Sequence, residues 1–201
     1  MILALDLATV VGFALGDLRG VKISGSRRLP STGDDIGLFA CSFEDWLTIG
    51  LKRHRPEKVV YEQPIMRGSD TTLATCRKLY GMAWETERVC RRLVKLGALP
   101  PFPVQEINIS DWRVHFLGRG NVPRDRKSIK AAVMQMCRVR GFHFDDDNEA
   151  EAIAILDYAL ACDSPASAIR ATPLFADQGP RPQQKLSVAE LRAKQAGLRR
   201  T

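Results

Sequence analysis

The sequence lacks several features that would assign it to a familiar class at once. No apolar run approaches the roughly 20 residues of a membrane-spanning helix, so we expect no membrane partner. No CxxC pair occurs among its five scattered cysteines, which indicates reduced, packed thiols. The first residues carry no positively charged segment of the kind that begins a signal peptide, and we therefore expect a cytoplasmic location.

Acidic residues are outnumbered by basic ones, 23 against 30, which gives a formal net charge of +7. Such a balance favours a polyanionic partner, although many basic proteins bind nothing in particular. The basic residues are concentrated between positions 119 and 140, where seven of them accompany one acid, Asp125. This block predicts binding to nucleic-acid phosphates. The candidate residues for these contacts are Arg119, Arg124, Arg126, Lys127 and Lys130.

The 201 residues allow one well-cored domain and a tail. We predict the domain over residues 1–163 and a basic, flexible tail over residues 164–201, in which 188–198 has the pattern of a short amphipathic helix. The predicted strands are 2–7, 11–15, 21–28, 58–62 and 103–107, and the predicted helices are 35–53, 71–96, a short one around Trp112, 126–140 and 148–162. This order predicts an α/β fold with one central mixed sheet and helices on both faces.

Three tryptophans fall on apolar stripes at helical spacing: Trp46, Trp84 and Trp112. We predict that all three belong to the core and are not surfaces on which bases stack. Ser110 or Asp111 is predicted to cap the short helix that contains Trp112.

Four acidic residues, far apart in the sequence, form the candidate catalytic and metal-binding site. Asp6 lies in the first apolar strand, and Glu62 ends the fourth strand, which we expect to be parallel to the first and adjacent to it. Asp147 and Glu151 open the last apolar helix, and their i,i+4 spacing places them on one helix face. A carboxylate in an apolar strand is costly to bury unless a positive charge meets it. All-oxygen sites suit Mg²⁺ or Mn²⁺, so the pattern predicts a metal-dependent enzyme that acts on phosphodiesters.

The start of the last helix also has a second possible pair of ligands and a second interpretation. Asp146 and Glu149, spaced i,i+3, satisfy helix geometry as well. Acids at a helix N-terminus interact favourably with the helix dipole, which explains Asp146 and Asp147 without a metal. That interpretation does not explain Asp6 inside an apolar strand.

Four segments resemble one group of nucleases. Residues 2–14, ILALDLATVVGFA, resemble the opening hairpin of the RNase H-like superfamily, and residues 59–64, VVYEQP, resemble its second acidic strand. Residues 146–155, DDNEAEAIAI, resemble the closing helix of RuvC-type Holliday junction resolvases in the form that phages carry. Residues 111–118, followed by the basic helix, resemble the same subgroup. The resemblance covers about residues 1–163 and implies an RNase H-like fold with a five-stranded sheet.

The resemblance implies a phosphodiesterase that uses two Mg²⁺ or Mn²⁺ ions per site. Asp6 would bind both ions, Glu62 would bind one, and acids of the last helix would complete the site. Asp147 and Glu151 are preferred for that role because the sequence around Glu151 matches the phage form. Arg67, in the loop after Glu62, would approach the DNA.

The implied substrate is branched double-stranded DNA, a four-way junction that is resolved by paired symmetric nicks. Two symmetric cuts require a homodimer, and helix 71–96 is the candidate dimer surface. The implied setting is the cytoplasm of a bacterial or phage-infected cell. Alternatives are a flap, branched-DNA or RNA–DNA hybrid nuclease of the same fold, or a non-catalytic DNA-binding relative. An actin-like ATP-binding domain begins with a similar strand, but it needs a second half for which this chain has no room.

Overall fold

The structure is a computed structural model, and it describes residues 1–33, 35–64, 72–123 and 125–164. The five strands are β1 (Ile2–Asp6), β2 (Val10–Asp17), β3 (Gly20–Arg28), β4 (Lys58–Glu62) and β5 (Val104–Ile107). The five helices are α1 (Ile36–His54), α2 (Leu73–Lys95), α3 (Ile109–Leu117), α4 (Arg126–Val139) and α5 (Asp147–Asp163).

The strands form one mixed sheet in the order β3-β2-β1-β4-β5. Strands β1, β2 and β3 are antiparallel neighbours, whereas β1, β4 and β5 run parallel. The central position of β1 explains its unbroken apolar sequence, because a strand covered on both faces has no side that meets water. The predicted α/β fold with a mixed five-stranded sheet is confirmed.

Helices cover both faces of the sheet, and two separate apolar cores result. On one face, α5 lies across β1 and β2, and buried residues of α3, α4 and α5 share one core with the alternate β1 residues Ile2 and Ala4. On the other face, α1 and α2 pack against the intervening residues Leu3 and Leu5. This period of two follows from the pleat of a strand. The next residue of the first set after Ala4 is Asp6, so the alternation directs Asp6 toward the face that α5 covers.

Each helix begins at a side chain that accepts a hydrogen bond from a backbone N–H of its first turn, as expected for an N-cap. These side chains belong to Asp35, Thr72, Asn108, Asp125 and Asp146. The prediction that Ser110 or Asp111 caps α3 is therefore wrong. Asn108 reaches the N–H of Ser110 at 2.8 Å, which starts the helix before the predicted residues.

Helix α2 differs from its predicted packing. Trp84 is 70% exposed, and Leu73 and Tyr80 are also exposed, so the prediction that Trp84 belongs to the core is wrong. The helix packs through Met82 and Leu93, and at 100° per residue the stripe formed by Leu73, Tyr80 and Trp84 lies on the opposite side. The prediction for Trp112, which is fully buried, is confirmed, while Trp46 is half-buried against Phe13 and Phe43.

Some predictions fall on residues outside the described ranges. These are the DNA contacts of Arg67 and Arg124 and the tail, including its helix at 188–198. Within the described ranges, no helix combines the length and apolar character needed to cross a bilayer.

Candidate active site

Asp6 and Glu62 lie at the same edge of the sheet. Leu5 of β1 pairs with Tyr61 of β4 in parallel register, so the residues that follow them leave neighbouring strands side by side. Val60 of β4 belongs to the α5-side core, and Glu62 is two residues further along, so strand alternation gives Glu62 the same face as Asp6. Two carboxylates thus meet where the strands end.

Helix α5 adds a third carboxylate to this edge. Its apolar residues are buried between the sheet and helices α3 and α4, which fixes the helix across β1 and β2. Asp6, Glu62 and Glu151 all line one cleft of about 180 Å³. The guanidinium-bearing residues Arg113 and Arg126 line it too.

Burial and mutual repulsion dominate the electrostatics of these acids. Asp6 is 8% exposed, and its burial, together with the nearby charges of Glu151 and Glu62, raises its pKa well above the usual value. Burial also raises the pKa of Glu151, although the positive charges of Lys130 and Arg113 oppose the shift. The ionised carboxylates therefore need positive charge in the cleft.

Part of that positive charge comes from basic side chains of the chain itself. Lys130, on α4, places Nζ 2.5 Å from Oδ2 of Asp147 and 3.6 Å from Oε2 of Glu151. Arg113, on α3, places Nη2 3.7 Å from Oε1 of Glu151. Burial alone would lower the pKa of Lys130, but its hydrogen bond to Asp147 and the charge of Glu151 outweigh burial and raise it. Lys130 is therefore a charged ammonium.

Asp147 has a different environment from the three carboxylates of the cleft. It is not among the residues that line the cleft, and its side chain is 36% exposed. The hydrogen bond from Lys130 lowers its pKa. Asp147 and Glu151 thus contact the same ammonium group, that of Lys130, but only Glu151 lines the cleft.

The alternative pair, Asp146 and Glu149, forms the N-terminal cap of α5. Asp146 Oδ1 accepts from the Glu149 N–H at 2.9 Å, and Glu149 Oε2 accepts from the Asp145 N–H at 2.8 Å. Asp146 also accepts a short hydrogen bond from Ser26. This reciprocal arrangement resembles a capping box and occupies both side chains with helix initiation.

Glu62 is held by a residue from the core. The indole Nε1 of Trp112 donates a hydrogen bond of 2.9 Å to Glu62 Oε2. Trp112 has the sequence pattern of a core residue, so its apolar spacing gave no sign of this polar contact.

The acids of the cleft fit a hard divalent cation. Among the described residues, no group of three His, Cys, Asp or Glu side chains already stands at ligand spacing. Asp6, Glu62 and Glu151 nevertheless share one cleft, and all their donor atoms are oxygens, as Mg²⁺ and Mn²⁺ prefer. A cation among them would relieve the repulsion that raises the pKa of Asp6. These three residues could therefore hold the ion.

Of the basic residues predicted to contact DNA phosphates, Arg126 and Lys130 lie close to the acids of the cleft. Arg126 is exposed, lines the cleft, and its charge acts on both Asp6 and Glu151. Lys127 and Arg119 are exposed, whereas Lys130 is turned to the acids. Their binding to DNA stays a prediction.

Four polar residues that line the cleft were not predicted from the sequence: Gln63, Thr75, Arg113 and Asn148. The sequence did contain a signal for Arg113. Apart from His115, it is the only basic residue in the apolar segment Trp112–Leu117. No comparable signal marks Asn148.

Comparisons with known proteins connect this geometry to one fold. No family model matches the sequence, and no curated protein matches it. The structure of Thermus thermophilus RuvC superposes with a TM-score of 0.55 at 15% identity, covering 82% of this chain and 96% of that one. This chain has the RuvC fold. The predicted RNase H-like architecture is thereby confirmed.

Two further structures share the RuvC fold with this chain. T. thermophilus RuvC in complex with a Holliday junction substrate gives a TM-score of 0.52 at 12% identity, covering 86% of this chain and 93% of that one. The yeast mitochondrial Holliday junction resolvase Ydc2 gives 0.53 at 12% identity, covering 84% and 83%. In the RuvC fold of this chain, the acidic cleft lies at the carboxyl ends of the parallel strands β1 and β4.

Proposed function

We propose that this chain is a metal-dependent endodeoxyribonuclease that resolves Holliday junctions by paired symmetric nicks. The observation that carries the proposal is the convergence of Asp6, Glu62 and Glu151 on one cleft of a RuvC fold. Two similar structures support the choice of substrate, because one contains a Holliday junction and the other is named a Holliday junction resolvase.

The chain's residues would divide the chemistry between ion binding and phosphate binding. Asp6, Glu62 and Glu151 would hold Mg²⁺ or Mn²⁺, which supplies Lewis-acid activation of water and neutralises the phosphate. Arg126 lies at the cleft with its side chain exposed, so it can meet the phosphate next to the acids. Arg113 is buried beside Glu151 and would keep that carboxylate ionised and oriented.

Basic residues around the cleft would hold the DNA backbone. Lys127 and Arg119 are exposed on α4 and on the loop before it, close in sequence to Arg126. Contacts of this kind position a duplex without reading its bases, which suits an enzyme that selects a branched structure. We also propose that Arg67 and Arg124 contribute to DNA binding.

A homodimer would provide the two sites that paired nicks require. The exposed stripe of Leu73, Tyr80 and Trp84 on α2 gives this chain an apolar surface that its own core does not cover. Trp84 and Tyr80 are residue types that are enriched in interfaces. We propose that this stripe meets the stripe of a second copy.

Cleavage of a synthetic four-way junction tests the function. With Mg²⁺ the protein is expected to produce two symmetric nicks, and Asp6→Asn is expected to produce none. Asp17→Asn is the matched control, because Asp17 is an exposed acid outside the cleft. Absence of paired nicks with the unaltered protein, or equal cleavage by Asp6→Asn, would refute the proposal.

Substrate comparison separates the alternatives. A flap, branched-DNA or RNA–DNA hybrid nuclease would cut its own substrate faster than the junction under the same conditions. A non-catalytic DNA-binding relative would bind the junction and cut none of the substrates. The contacts of Lys130 and Arg113 with Glu151 give that last alternative its specific support, because they place positive charge where a metal ligand is needed.

A further inference from the structure

We propose that the acidic site of this chain holds one divalent cation and that the ammonium group of Lys130 takes the place of a second one. The inference rests on the proposed function, since it concerns the same cleft. The resemblance to resolvases predicts two ions, and the charges around Glu151 favour a different count.

The position of Lys130 is fixed by the packing of α4. Ile129 and Val133 are buried in the α5-side core, and Asp125 caps the helix, so the first turns of α4 are anchored. From there Lys130 reaches α5 with a side chain that is 18% exposed. Its Nζ lies between Asp147 and Glu151, at 2.5 Å and 3.6 Å. This ammonium is a built part of the site and not a solvated group on a helix surface.

The charge count matches one divalent cation. When the carboxylates of Asp6, Glu62, Asp147 and Glu151 are ionised, as metal binding requires, they carry four negative charges. Lys130 and Arg113, both within 4 Å of Glu151, return two positive charges. The remaining two negative charges are balanced by one Mg²⁺ or Mn²⁺, and the charge of Arg126, which also lines the cleft, leaves still less negative charge for a second ion. A second divalent ion would leave the half-buried site with excess positive charge, and Arg126 nearby would increase it.

The geometry leads to the same count. The carboxylates that line the cleft are Asp6, Glu62 and Glu151, whereas Asp147 does not line it. A second ion would need ligand oxygens from Asp147 and Glu151, which Lys130 contacts. That ion would have to displace the ammonium group of Lys130 and leave this half-buried charge without its carboxylate partners, which is costly.

Counting bound Mn²⁺ tests the inference without reference to activity. Isothermal titration and electron paramagnetic resonance are expected to find one Mn²⁺ per chain in the unaltered protein. Lys130→Met, which removes the charge but keeps most of the stem, is expected to bind two. The matched control is Lys127→Met, an exposed lysine of the same helix, which is expected to bind one. The neutral variant Lys130→Gln is expected to bind two as well, and it covers the case in which Lys130→Met does not fold.

Two results would overturn the inference. The first is two Mn²⁺ per chain in the unaltered protein, and the second is one Mn²⁺ in a folded Lys130→Gln. Junction cleavage distinguishes these failures from failure of the proposed function. A protein that binds two ions and cuts junctions refutes the inference alone. A protein that binds one ion and cuts no junction refutes the proposed function alone.

Discussion

The indole Nε1 of Trp112 lies 2.9 Å from Oε2 of Glu62, so a core tryptophan holds a carboxylate of the acidic cleft. Trp112 is fully buried within the α5-side core, and its ring therefore has little freedom to turn. A rigid donor fixes the orientation of the carboxylate that accepts from it. Through this bond the packing of α3 against the sheet sets the direction in which Glu62 faces the cleft.

We expect Trp112→Phe to weaken metal binding more than it weakens the fold. Phenylalanine keeps an aromatic ring in the core but removes the N–H group that holds Glu62. Loss of a group that orients a metal ligand typically costs roughly 10–100-fold in affinity. Titration with Mn²⁺ measures the change. Trp46→Phe is the control, because Trp46 packs against Phe13 and Phe43 on the other face of the sheet. Equal Mn²⁺ affinity in the two variants would show that Trp112 does not position Glu62.

Asp6→Asn is expected to raise the melting temperature in the absence of metal. Burial and the charges of Glu151 and Glu62 raise the pKa of Asp6 above its usual 3.8. Between that value and the raised pKa, the folded protein binds more protons than the unfolded chain, so stability falls as pH rises. Asparagine removes this penalty. The melting temperature changes by about 2–4 °C for each 1 kcal/mol in a protein of this size.

Thermal denaturation with a chelator, at several pH values, measures the effect. The advantage of Asp6→Asn is expected to grow as pH rises from 3.8 and to vanish below it. Added Mn²⁺ should stabilise the unaltered protein and not the variant. Asp17→Asn is a control of opposite sign, because a backbone hydrogen bond from Arg19 lowers the pKa of Asp17. An unchanged melting temperature in Asp6→Asn at neutral pH would contradict this account.

The sequence predicts the positions of Asp6 and Glu62 well because strand periodicity is local. Each acid ends an apolar strand, and parallel pairing of the two strands is enough to bring them together. The neighbourhood of Glu151 is harder to predict. Lys130 and Arg113 reach it from two other helices, and their direction depends on how α3 and α4 pack across α5. Periodicity within one segment contains no information on that packing.

Helix α2 shows a second limit of sequence patterns. Leu73, Tyr80 and Trp84 fall at helical spacing, which predicts an apolar stripe, but α2 has another stripe with Met82 and Leu93. Both stripes satisfy the same periodicity, and the pattern alone does not indicate which one the sheet covers. The covered face is determined by contact with α1, which is a property of the assembled fold.

Gly12→Ala is expected to disturb the acidic site from a distance. A Cβ at Gly12 would overlap the carbonyl oxygen of Asn148 in the first turn of α5. That turn carries Asp147 and leads to Glu151, so the helix must shift away from β2. We expect a loss of about 1–3 kcal/mol of stability, as for other overpacked sites, together with weaker Mn²⁺ binding.

Chemical denaturation and Mn²⁺ titration measure both effects. Gly50→Ala is the control, since a Cβ at Gly50 meets nothing within 4 Å inside helix α1. Alanine there is expected to stabilise the protein by up to about 1 kcal/mol. If Gly12→Ala binds Mn²⁺ as the unaltered protein does, β2 does not constrain the position of α5.

Asp157 of α5 contacts a residue of α3 and the C-cap residue of α4. Helices α3 and α4 are the two other helices that bring side chains to the acidic site. Removal of Asp157 is expected to weaken the packing of these three helices. Asp157 Oδ2 lies 2.9 Å from His115 Nε2 of α3 and 2.7 Å from Arg140 Nη1, next to the end of α4. Burial alone would raise the pKa of Asp157, but the hydrogen bond from His115 and the charge of Arg140 outweigh burial and lower it. The carboxylate therefore contributes stability above its usual pKa of 3.8, and this contribution is lost as pH falls through the lowered value.

We expect Asp157→Ala to cost about 2 kcal/mol at neutral pH, as for a charged hydrogen bond that is removed from a partly buried site. Denaturant titration measures this loss, and its size should decrease in acid. Asp17→Ala removes an exposed carboxylate that accepts a hydrogen bond from the Arg19 N–H and lies 3.7 Å from Lys22, and an exposed ion pair of this kind contributes roughly 0–1 kcal/mol. Equal costs for the two variants would mean that the Asp157 network does not hold the helices together.

Trp84→Glu is expected to separate the proposed dimer. Trp84 is 70% exposed in the stripe of α2. In a twofold dimer, a carboxylate at position 84 would lie against the apolar stripe of the second copy and close to the equivalent carboxylate of that copy. Light scattering coupled to size exclusion should find a dimer for the unaltered protein and a monomer for the variant. Leu18→Glu is the control, because Leu18 is 67% exposed in the turn between β2 and β3 and does not belong to the stripe of α2. A monomeric variant that folds should still bind Mn²⁺, because the acidic cleft belongs to one chain, but its two nicks in a junction should lose their pairing. A Trp84→Glu protein that remains dimeric would exclude this stripe as the interface.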